Sequence, residues 1–156
     1  MKNLILIAFF FLATSYCFSQ NYRTAIGLRG SYFGWGAVNV KQYISPKNAL
    51  EFSLGGSKSF LWGEALFEWN NQVKKLRPLE WYLGAGIASG YYDGKFHHTN
   101  KFLDGFHFGA RLIGGIDITT DGAPFNFSIH TGPYLGFTDA IIFDWHGSFA
   151  IRFAIK

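Results

Sequence analysis

Ser128 and His130 stand two residues apart in Phe125-Asn-Phe-Ser-Ile-His-Thr131, and a serine beside a histidine is the raw material of nucleophilic catalysis. Such chemistry also needs an acid that orients the imidazole and a place where a substrate can reach the hydroxyl. His97-His98, with Asp93 and Asp104, offers metal-ligand types. Adjacent histidines point in different directions, however, and no spacing recurs as it does in zinc motifs, so a solvated loop explains them better. Gly84-Ala-Gly86 and Gly114-Gly115 have no helix pattern after them, which a phosphate loop requires. Lys74-Lys75-Leu76-Arg77 is the one basic run, and a solvated turn accounts for it without nucleic acid. The other charges are dispersed. What any of these residues can do depends on where the elements that carry them point.

Those elements read as strands. From residue 20 onward large apolar residues alternate with small or polar ones, and helical spacing never takes over. In Gly147-Ser-Phe-Ala-Ile-Arg-Phe-Ala-Ile-Lys156, Phe149, Ile151, Phe153 and Ile155 share one face, and Ser148, Ala150, Arg152 and Ala154 share the other. Turn signals cut the alternation into eight segments: Tyr22–Tyr32, Gly36–Ile44, Ala49–Gly55, Phe60–Trp69, Glu80–Tyr91, Phe106–Thr119, Phe125–Tyr134 and Trp145–Lys156. Three of the four prolines, Pro46, Pro78 and Pro124, fall in connections on one side, where a residue without an N–H suits a turn. On the other side the links Tyr92–Gly105 and Leu135–Asp144 are long.

The first nineteen residues read as a cleavable signal peptide: Lys2, a short apolar run from Leu4 to Leu12, then Cys17-Phe-Ser19 at the cleavage position. The run is too short to span a bilayer as a helix, which takes about 20 apolar residues. Tyr16 before Cys17 argues against a lipobox. Residues 20–156 then form a single domain that starts at Gln20 and holds no cysteine, so neither a disulfide framework nor thiol chemistry is expected. Nineteen glycines, 20% aromatic residues and a precursor net charge of +4 complete the composition, and the charge is too mild and scattered to mark a polyanion binder.

Eight alternating strands imply a barrel, with its apolar face either inward around a ligand or outward toward lipid. The bulky face carries Ile26, Leu28, Val38, Phe52, Leu54, Leu83, Ile87, Leu112, Ile129, Phe149, Ile151 and others of that size. An eight-stranded interior is barely wide enough for ordinary side chains, so this set would overfill it. The opposite face is rich in glycine, alanine and serine, and it holds Arg29, Lys41, Arg111 and Arg152 against Glu51, Glu64, Glu68 and Asp117. Four charges of each sign balance, and buried charges persist when paired, so these eight are expected to form an interior network. On the lipid face one such Lys or Arg at the midplane would cost about 2–4 kcal/mol. Twelve aromatics fall near strand ends: Tyr22, Tyr43, Trp69, Trp81 and Tyr82 at one end, and Tyr32, Trp35, Trp62, Tyr91, Tyr92, Tyr134 and Trp145 at the other. They are expected to form two interfacial girdles.

The chain resembles the small single-domain outer-membrane β-barrel proteins of Gram-negative bacteria, broadly of the OmpA/OmpX type. The residues that carry the likeness are Ala25-Ile-Gly-Leu-Arg-Gly30, Val40–Leu50, Trp81-Tyr-Leu-Gly-Ala-Gly86, Pro124–Ile129 and Phe149-Ala-Ile-Arg-Phe153. Such barrels usually finish on an aromatic residue, whereas this chain finishes on Ile155-Lys156 and leaves that role to Phe153. The resemblance implies an all-β, eight-stranded antiparallel up-and-down transmembrane barrel in the outer membrane. It would be monomeric, surrounded by outer-membrane lipids and lipopolysaccharide, and handled by the barrel assembly machinery during biogenesis. It implies a structural or surface-interaction role, with no cofactor, metal or nucleic acid. Some barrels of this type edit lipids, and a lipid A deacylase or acyltransferase is the alternative. Such an enzyme would need Ser128 and His130 at the lipid boundary, but their parity sends both inward, so no catalytic site is expected. A soluble ligand-binding barrel ranks third, and eight filled strands leave no wide pore.

Overall fold

The computed structural model describes residues 22–31, 36–73, 76, 78–92, 105–120, 122–138 and 143–155. The expected signal peptide, residues 1–19, and Tyr32, Trp35, Lys74, Lys75, Arg77, Asp93, His97, His98 and Asp104 therefore lie outside the described residues. Eight strands form: β1 Thr24–Ser31, β2 Gly36–Tyr43, β3 Asn48–Ser57, β4 Phe60–Gln72, β5 Leu79–Tyr92, β6 Gly105–Thr119, β7 Phe125–Gly136 and β8 Phe143–Ile155. Each pairs antiparallel with its neighbours in the chain, and β8 pairs with β1, so the sheet closes on itself. Closure removes both sheet edges, which solves the strand-edge problem where no helix among the described residues covers one.

The register sets the geometry of the interior. Paired positions lead from Ala25 through Lys41, Glu51, Leu66, Gly86, Arg111 and Tyr134 to Asp144, whereas the partner of Ala25 on β8 is Ala154. The circuit thus returns ten residues away from its start, so the strands must tilt steeply around the barrel axis. The three turn prolines lie in tight connections. Asn48 N donates to Ser45 Oγ at 3.1 Å, and the carbonyls of Pro78 and Pro124 accept from Thr119 N and Ala154 N at 2.9 and 2.7 Å. The fourth, Pro133, sits inside β7 opposite Trp145. There the β6 ladder steps from Arg111–Tyr134 to Gly114–Thr131, because a proline supplies no N–H.

Period two holds along every strand. In β7, Phe125, Phe127 and Ile129 are exposed, while Asn126, Ser128, His130, Gly132 and Tyr134 are buried. The outward face is apolar all round, from Leu28 at 68% and Phe106 at 64% exposure to Ile129 at 61% and Phe149 at 55%. The bulky set assigned to that face stands there. Its small inward counterparts permit close strand approach: a Cβ on Gly86 would lie 2.0 Å from the carbonyl oxygen of Ala65.

The aromatic girdles need correction. Trp69, Trp81, Tyr91 and Trp145 are exposed on the outer face, but Tyr22, Tyr43, Trp62, Tyr82, Tyr92 and Tyr134 are buried inside the barrel. Position near a strand end says nothing about face; Tyr43, Trp62, Tyr82, Tyr92 and Tyr134 have the parity of the inward residues of their own strands, and Tyr22 precedes β1. Trp62, Tyr82, Tyr92 and Tyr134 fit because glycines face them. A Cβ on Gly115 would meet the Tyr82 ring at 2.6 Å, and one on Gly109 would meet Tyr134 at 2.6 Å. Leu66 and Ile113 also point inward, and Ile113 packs where a Gly84 side chain would stand. The interior therefore alternates large with absent side chains.

Candidate functional site: the charged interior

All eight charged residues of the small face enter the barrel and are at least nine-tenths buried. Arg29 comes from β1, Lys41 from β2, Glu51 from β3, Glu64 and Glu68 from β4, Arg111 and Asp117 from β6, and Arg152 from β8. The register does not pair them as the ladder would. Lys41 lies opposite Glu51 on β3, yet its Nζ pairs with Glu68 at 2.8 Å and with Asp117 at 2.6 Å. Glu51 instead bridges Arg29 through one oxygen and Arg152 through the other. Arg29 also holds Glu64, whose second oxygen lies 3.6 Å from Arg111 Nε, and Arg152 lies 3.9 Å from Asp117. The eight form one connected set that crosses the lumen between strands far apart around the wall.

Neutral polar groups complete the coordination. Arg29 donates to Ser53 Oγ at 2.9 Å, and Asn39 donates to the same oxygen at 2.9 Å while accepting from Arg152. Arg152 donates to Asn126 at 2.7 Å, and Asn126 in turn donates to Asp117 and to Thr119 at 3.1 Å. Lys41 donates to Asn70 at 2.8 Å and lies 4.6 Å from the centre of the Tyr82 ring, a cation–π contact. Tyr43 donates to Glu80 at 2.6 Å at the proline-turn end. Sequence reasoning passed over Asn39, Ser53, Asn70 and Asn126, and assigned Tyr43 and Tyr82 to a girdle. Asn39, Ser53, Asn70 and Tyr43 carry the parity of the charges on their own strands.

Above the charges lies an aromatic layer. Trp62 stacks on His146 at 6.0 Å and meets Tyr134 edge-on at 5.4 Å, while Tyr92 meets His107 at 5.1 Å. Near the mouth His146 Nε2 lies 3.0 Å from Asp144.

Ser128 and His130 both face the interior at 4% and 3% exposure. The structure does not join them. His130 shares a hydrogen bond of 2.6 Å with Ser148, its register partner on β8, and one of 3.3 Å with the Tyr82 hydroxyl. The arrangement has a serine and an imidazole within reach, but the hydroxyl looks into a packed polar lumen rather than toward an acyl ester outside. Among the described residues no group of three or more His, Cys, Asp or Glu side chains is placed to hold a metal ion. What the set does chemically is cross-link six strands through buried ion pairs.

No protein-family model and no curated protein matches this chain. Among solved structures, the chain is similar to the N-terminal β-barrel domain of Pseudomonas aeruginosa OprF, with a TM-score of 0.59 and 11% identity. The alignment covers 83% of this chain and 93% of that one. Near-complete coverage at this TM-score shows a shared fold, which in this chain is a closed eight-stranded antiparallel barrel.

Proposed function

We propose that this protein is a monomeric integral outer-membrane barrel with a structural or surface-interaction role, reached after removal of a signal peptide covering residues 1–19. The single observation that carries this reading is the inversion of polarity. Large apolar side chains such as Leu28, Leu54, Ile129 and Phe149 cover the outside, while the lumen holds eight paired charges. In water such a surface would expose an apolar patch far beyond the few hundred Å² that soluble monomers tolerate. In a bilayer the same surface is solvated by acyl chains, and closure leaves no open strand edge for lipid to satisfy. Outer-membrane lipids and lipopolysaccharide are then its immediate surroundings, and the barrel assembly machinery its partner during insertion.

A lipid-modifying activity fits less well, because His130 and Ser148 are enclosed by the wall that would separate them from substrate. The deciding experiment is fractionation of cells producing the protein. The expected result is recovery in the outer-membrane pellet and release by detergent alone. Recovery in the soluble periplasmic fraction without detergent would end the proposal.

A further inference from the structure

Arg111 is incompletely coordinated. Its NH1 donates to the carbonyl of Gly132 at 2.9 Å, beside the break that Pro133 makes in the β6–β7 ladder. Its Nε lies 3.6 Å from Glu64 Oε2, close enough for ionic attraction and too far for a hydrogen bond, and this buried N–H has no hydrogen-bond partner. Burying an unmatched donor on a charged group is costly, because its hydration is lost with nothing in exchange. A polar gap just over 3.5 Å is the separation at which an intervening water is the first explanation.

A cavity is present at that point. It has a volume of about 10 Å³ and is lined by Ser31, Trp62, Glu64, Arg111, His146 and Ser148. About 10–15 Å³ is the space that a single water requires, provided two to four polar partners surround it. Apolar cavities stay dry, whereas this lining brings a guanidinium, a carboxylate and two hydroxyls together. The Glu64 carboxylate disfavours an anion, the Arg111 guanidinium disfavours a cation, and the volume excludes anything larger. A neutral molecule of the smallest size satisfies all three conditions.

We infer that this cavity is a binding site for one ordered water, which accepts from Arg111 Nε and donates to Glu64 Oε2. The site also touches Ser148, whose hydroxyl is bonded to His130. The water therefore adds a second link between the ion network, through Glu64, and the Ser148–His130–Tyr82 set, which also meet where Lys41 lies over the Tyr82 ring. It also lies against His146, which pairs with Asp144 at the mouth. This site depends on the barrel interior alone and stands whether or not the membrane reading holds.

The test is solution NMR on the refolded barrel in detergent micelles, reading dipolar cross-relaxation between water and the Arg111 Hε. The expected result is a cross-peak of dipolar sign in the wild type. Ser31→Val, which fills the cavity with two methyl groups, should abolish it, and Ser31→Ala, which leaves the space open, should retain it. No cross-peak in the wild type would overturn the site. So would a peak that survives Ser31→Val, or one lost in Ser31→Ala, since the latter means exchange relayed by the serine hydroxyl. Should Ser31→Val fail to fold, the wild type and Ser31→Ala still decide the matter.

Discussion

Glu51 accepts from two guanidiniums at once, Arg29 on one oxygen and Arg152 on the other, and all three are buried. Glu51→Ala would leave both arginines facing a void, and loss of one member of a buried ion pair costs about 3–5 kcal/mol. Glu80, which accepts one hydrogen bond from Tyr43, sets the lower bound: Glu80→Ala should cost about 0.5–1.5 kcal/mol. Urea unfolding of the refolded barrel, followed by tryptophan fluorescence, should therefore show a much larger fall in midpoint for Glu51→Ala. Equal midpoints would mean that the network contributes little. Ser128 and His130 call for a different measurement. Ser128→Ala and His130→Ala should leave lipid A and phospholipids unchanged, because both side chains lie inside the wall. A lipid species present with wild type and absent with both variants, seen by mass spectrometry, would favour the enzyme reading. At this scale parity alone predicts which charges enter the lumen. It cannot pick partners, since Ser148 reaches His130 through register on a neighbouring strand, eighteen positions away in the chain.

Strands are where the sequence is most legible, because alternation is a local property and a closed antiparallel barrel asks each strand for little else. All eight were readable, with ends shifted by a few residues, as in β4, which runs on to Gln72 past Trp69. The inward aromatics were not. Tyr82 and Tyr134 are accommodated by Gly115 and Gly109 on another strand, and that complementarity exists only after the register is set. The same steric contrast yields a prediction for single strands. Gly86→Ala places a methyl group 2.0 Å from the Ala65 carbonyl oxygen, so β4 and β5 must move apart; overpacking of this kind costs about 1–3 kcal/mol. Gly63→Ala points outward and meets only ordinary contact, 3.5 Å to Leu54, so its change should stay within about 0.5 kcal/mol. The two variants should separate in thermal or urea unfolding, and in the fraction that folds during refolding into micelles. Equal stability of both would contradict the inward placement of Gly86.

For the whole molecule, strand order fixes which connections share an end. The links between β5 and β6 and between β7 and β8 leave the barrel from the end opposite the Pro46, Pro78 and Pro124 turns, because antiparallel strands reverse at every step. The anchoring of the second link is visible at its start, where Phe137 N donates to the Phe108 carbonyl on β6 at 2.8 Å. An even strand count returns the last strand to the end where the first begins, so Thr24 of β1 and Ile155 of β8 lie with the proline turns. Outer-membrane barrels keep short turns toward the periplasm and longer loops outside. With the proposed membrane placement, the strand ends at Tyr92, Gly105, Gly136 and Phe143 therefore lie on the exterior side. An epitope or protease site inserted beside Asn100 should be recognised on intact cells, whereas one placed beside Lys47, in the β2–β3 turn, should be reached only after the outer membrane is ruptured. The paired insertions test orientation separately from insertion in the membrane. Reversal of the two patterns would invert the topology while leaving the barrel in lipid. Accessibility of both sites after periplasmic release, with no outer-membrane association, would remove the membrane placement itself.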